Sequence, residues 1–142
     1  MQPTSVKPAG GRDIAGRTLA SLGSLVLVAS GALHCFGAYP GLSEALRASN
    51  LAPPLSSTLR AVFLLVGWDW FVFAAITLLV TWRTMQQGRL LVLLCGAAVL
   101  VQTAVTLRFI GFFVGNELIG SAALLLLAGG LLLPQEGRRP DR

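Results

Sequence analysis

Few side chains in this sequence are equipped for chemistry, and those few gather in one region. His34 is the only histidine, and Asp69 and Glu117 are the only carboxylates inside long apolar runs. Gln102, Arg108, Trp68 and Trp70 lie in the same runs. An imidazole, two carboxylates and a guanidinium could pass protons or hold the polar end of an otherwise apolar molecule, with the two indoles as walls. Any known enzyme chemistry would rest on His34, Asp69 and Glu117. An ionisable group at the centre of a membrane helix costs about 2.5–3.5 kcal/mol on insertion scales, so Asp69 in particular asks for a reason.

Much other chemistry is excluded. With one histidine, and Met1 and Met85 as the only methionines, bis-histidine haem ligation within the chain is impossible and His/Met ligation is disfavoured. Zinc and di-iron sites need several His or carboxylate ligands at set spacings, which are missing. No Walker or Rossmann glycine motif is present, and no serine stands in a nucleophile elbow. Cys35 and Cys95 fall in different runs and at different depths, as small buried hydrophobes rather than a redox pair. No catalytic residue, metal or cofactor is expected.

The elements that position these residues are apolar helices. Of 142 residues, 54% are hydrophobic and 12% charged, against about 25% charged in an ordinary soluble domain, and mean hydropathy is +0.73. Four stretches reach the ~20 residues needed to cross a bilayer: roughly 19–39, 59–82, 90–110 and 112–133. Runs such as LLVLLCGAAVLV lack the alternation of barrel strands, so the expected fold is an all-α membrane protein, an up-down four-helix transmembrane bundle. Residues 40–58 are expected as an outer loop holding a short amphipathic turn that Pro53 and Pro54 end. Residues 1–15 and 135–142 are expected to be disordered tails. The stretch before Val28-Ala29-Ser30 has a basic start, but it is longer than a signal peptide's apolar core and is read as a span.

Basic residues orient the bundle. Lys7, Arg12, Arg17, Arg83, Arg89, Arg138, Arg139 and Arg142 fall on one side, Arg47, Arg60 and Arg108 on the other, which predicts cytoplasmic termini. These charges flank apolar runs and form no aromatic-interleaved stripe, so the net charge of +5 does not indicate nucleic acid. Asp69 then lies about 13 Å into the second span from its outer end. His34, Asp69, Gln102, Arg108 and Glu117 all fall in the outer half, while the inner half reads as mostly Leu, Val and Ala. An ion pair of Asp69 with Arg108, or a contact with His34, is the expected core of this cluster.

The plan of four spans, with Leu59-Arg60-Ala61 opening the second and Arg108-Phe109-Ile110-Gly111 closing the third, resembles that of small bacterial four-helix membrane proteins of uncharacterised function, including those called DoxX-like. The resemblance covers most of the chain. It implies the fold and a bacterial inner-membrane setting, and carries over no activity.

Three functions compete on this basis. The first is a non-enzymatic accessory or scaffold protein locked by its outer-half polar cluster. The second is a binder of a lipid-like or quinone-like molecule at that cluster, and the third a proton-coupled transporter using Asp69. The expected partners are membrane lipids and either a second copy or a larger membrane complex. Gly16, Ala20 and Ser24 offer a small-residue face for contact between copies.

Overall fold

A computed structural model describes residues 10–83 and 87–134. α1 spans Gly11–Ala32 and passes through a π-helical turn at Leu33–Ala38 into α2, Tyr39–Ala48. α3 spans Pro53–Trp82, α4 Gly88–Phe109 and α5 Val114–Leu132. The continuous helix Gly11–Ala48 and helices α3, α4 and α5 are each long and apolar enough to cross a membrane. The protein is an all-α, multi-pass membrane bundle. α1 packs on α3 and α5, and α4 packs on the same two, closing a four-membered ring.

Two expectations about the ends change. Most of 40–58 is helical, because Pro40 does not stop the first helix. A proline ring clashes with the carbonyl four residues back. The π turn relieves this: Tyr39 N–H bonds to His34 O, five residues back, and Pro40 follows in the first turn of α2. Pro53 and Pro54 likewise open α3 instead of closing a turn, in the positions where a missing N–H costs nothing. At the start of the chain, residues 11–15 belong to α1. Residues 1–9 and 135–142 of the two expected tails, with the basic residues Lys7, Arg138, Arg139 and Arg142, lie outside the described residues, as does Met85.

Lipid tails are as apolar as leucine, so membrane helices associate by close packing. The tightest main-chain approach is α1 on α5. A Cβ on Gly129 would lie 2.7 Å from Ala20 N and 2.9 Å from Gly16 O. On Gly23 it would lie 3.0 Å from Ala122 O. The small-residue face of Gly16 and Ala20 is therefore used inside the bundle and is not free to meet another copy. α5 claims it by bringing small residues of its own. Ser24 turns instead to α3, where its hydroxyl meets the Thr77 hydroxyl while donating to Ala20 O of its own helix at 2.8 Å.

Both ends of the ring are fastened. Arg17 Nε donates to Asp13 Oδ1 at 2.9 Å, and its Nη1 donates to Thr81 O at 3.0 Å, satisfying a carbonyl in the last turn of α3. At the opposite end the chain reverses between α4 and α5 through Gly111, whose φ of 91° suits only glycine. Asn116 Nδ2 donates back to Gly111 O at 2.6 Å and holds the turn shut.

Candidate functional site

The seven candidate residues separate into a set inside the bundle and a set outside it. The inside set is His34, Trp70 and Gln102, joined by Phe63. His34 projects from the π turn and stacks on the Phe63 ring, centroids 3.7 Å apart and planes 14° apart. Its Nε2 lies 2.8 Å from the Phe63 carbonyl. A carbonyl only accepts, so Nε2 carries the hydrogen of the ring. Trp70 presents its ring edge-on to the imidazole at 5.0 Å and donates Nε1–H to Gln102 Oε1 at 2.9 Å. Aromatic and polar contacts thus tie α3 to the π turn on one side and to α4 on the other.

Two glycines make room for this. A Cβ on Gly31 would sit 3.1 Å from Gly67 O, and one on Gly67 would overlap Cys35 Sγ and lie 3.0 Å from the His34 ring. The backbones cross closely here, and so the imidazole reaches a main-chain carbonyl of the neighbouring helix. Neither Phe63 nor Gly67 is visible as part of a site from residue type. Their spacing is informative, because Phe63, Gly67, Trp70, Ala74, Thr77 and Thr81 recur at helical intervals along one side of α3.

The outside set is Asp69, Trp68, Arg108 and Glu117. All four are exposed on the bundle surface. Asp69 forms no hydrogen bond or ion pair among the described residues, where Arg17–Asp13 is the only salt bridge. The expected contacts of Asp69 with Arg108 and His34 are therefore absent. The reason is azimuth. Trp70 faces inward, and Asp69, one residue earlier, is turned by about 100° to the outside. Arg108 instead lies over its own neighbour Phe109, 5.7 Å from the ring centroid. Glu117 sits in the first turn of α5, where the helix dipole favours an acid.

The polar residues are also less confined to one half than their charges suggest. Ser24, Thr77 and Thr81 are buried along the α1–α3 seam, which runs toward the Arg17 end. Hydroxyls carry no charge and escape attention in a search for ionisable groups. Among the described residues no group of three or more His, Cys, Asp or Glu side chains is placed to hold a metal ion. Comparison with models of protein families, with curated proteins and with solved structures finds no match.

The adjacent tryptophans give a direct check on this division. Trp70 is 5% exposed and Trp68 59%. Trp70→Phe strands Gln102 Oε1 in a partly buried site and is expected to cost about 1–3 kcal/mol. Trp68→Phe is expected to stay within about 0.5 kcal/mol of the parent. Thermal unfolding of the two variants in detergent compares them, and equal losses would place both rings on the same side of α3.

Proposed function

We propose that the protein is a non-enzymatic accessory or scaffold subunit that acts by docking laterally against another membrane component through the outer side of α3. One observation carries this: Asp69, close to the midpoint of α3, faces away from the bundle. Thr58, Val62, Leu65, Val72 and Leu79 are exposed with it at intervals of three, four or seven residues, a stripe about 30 Å long. A lone carboxylate facing lipid at this depth is costly, and intramembrane acids face a protein neighbour or water. Burial of the stripe against a partner would meet that requirement. A pocket reading draws no support from a carboxylate turned away from His34.

We place the chain in the inner membrane of a bacterium, with both termini cytoplasmic. The support is the distribution of basic residues, eight on the side of the termini and three on the other.

The test is migration of the chain on native gels after mild solubilisation of its own membranes. The parent is expected in an assembly larger than itself, and Asp69→Leu is expected to run free. Glu117→Gln, an exposed acid at a helix end, is expected to behave as the parent. A parent chain that already runs alone, in every mild detergent tried, would remove the proposal.

A further inference from the structure

The inference here rests on the docking surface just proposed and names what docks there. We infer that the Asp69 side of α3 receives a transmembrane helix of a different protein, one that carries a lysine or arginine near the middle of the bilayer.

Asp69 is about 18 Å along α3 from Thr81 at the Arg17 end, inside the hydrocarbon and away from any lipid headgroup. A headgroup amine cannot serve it there, so its partner must be a side chain. A basic side chain is the partner that offsets an ionised carboxylate most fully. Trp68 adds to the preference. It is exposed on the neighbouring part of the same surface, and an indole face attracts cations.

A second copy of this chain does not supply that group. Because Asp69 is near the midpoint of α3, two copies packed through this stripe bring Asp69 close to its own counterpart whether the helices run parallel or antiparallel. Like charges then face each other. The chain's own cations are at other levels: Arg60 is nine residues, about 13.5 Å, toward the α2 end of the same helix, and Arg108 is in the last turn of α4. Side chains lean toward the N-terminus of their helix, which carries Arg60 further from Asp69. The small-residue face of α1, the other candidate for self-contact, is already occupied by α5.

The geometry of the stripe fits a helix. Val62, Leu65, Asp69 and Val72 alternate by three and four residues and Leu79 follows seven further on, the pattern that takes knobs from one facing helix, with the acid at its centre.

The experiment uses the full chain in phosphatidylcholine vesicles, with a fluorophore at its N-terminus. Three labelled Leu/Ala transmembrane peptides are added, with lysine, leucine or aspartate at the central position. Energy transfer is expected to show the lysine peptide binding the parent roughly tenfold or more tightly than the leucine peptide, a difference a single well-placed polar pair supplies. Asp69→Glu keeps the preference and Asp69→Asn loses most of it. Equal binding of the lysine and leucine peptides overturns the inference. Self-association of the parent that is lost in Asp69→Leu also overturns it, because a second copy then covers the stripe, while docking through α3 stands. If Asp69→Leu leaves the native assembly intact as well, docking through α3 itself falls.

Discussion

Gly129→Ala, a change of one methyl group, is expected to cost about 2–3 kcal/mol of bundle stability. The added carbon would stand 2.7 Å from the Ala20 nitrogen and 2.9 Å from the Gly16 oxygen, both main-chain atoms. A side chain in the way can rotate, but here α1 and α5 must move apart. Separation would also open the contacts of Gly23 with Ala122, two turns further along. Packing is the main attraction between helices in lipid, so the loss is spread over the whole interface. Gly120→Ala is the matched control on the same helix. Its Cβ meets only Thr103 Cγ2, at an ordinary 3.4 Å, and the substitution gains helix propensity. Unfolding of both variants in detergent, followed by circular dichroism, gives the comparison. A Gly129→Ala protein as stable as Gly120→Ala would mean that the α1–α5 approach is looser than described.

Asp69→Leu is expected to act in the opposite direction on membrane entry. On the insertion scale, leucine and aspartate differ by about 3–4 kcal/mol at a helix centre. The α3 segment should therefore insert much more readily in a glycosylation-reporter assay. The folded bundle should melt within about 0.5 kcal/mol of the parent, because Asp69 holds nothing inside it. Loss of the native assembly with unchanged stability is the signature of a contact residue. A marked fall in melting temperature would show instead that the carboxylate is bonded within the chain.

That second outcome is the one the amino-acid order alone favours, and the reason it misleads is instructive. Position along a span is set by residue number, so depth is legible, and the shared depth of His34, Asp69 and Arg108 invited a pairing. Azimuth depends on which side of each helix meets its neighbours. It could have been drawn from the company of each residue on α3: Gly67, Trp70, Ala74, Thr77 and Thr81 form the small and polar side, while Leu65, Val72 and Leu79 form the greasy one. In a membrane the greasy side faces out, and Asp69 belongs to it. Spans and fold class were legible because a bilayer demands long apolar helices with few exceptions. The partner of His34 was not, since it is a main-chain carbonyl that any residue at position 63 would provide. By position Arg17 reads as an orienting charge, and its bond to Thr81 O needs the antiparallel register of α1 and α3 to be known first.

The continuous helix from Gly11 to Ala48 has a practical consequence for imaging. At 1.5 Å per residue its 38 residues reach about 57 Å, and the 30 of α3 about 45 Å, against hydrocarbon about 30 Å thick. α4, with 22 residues, and α5, with 19, only about match that thickness. α2 and the first turns of α3, which pack together, therefore rise beyond the hydrocarbon as a short mast, with residues 49–52 at its tip. A 14.9 kDa protein sunk in a micelle offers little for particle alignment. The mast supplies a fixed point on which an antibody fragment raised against its tip, or a rigid fusion spliced there, would report the orientation of the bundle below.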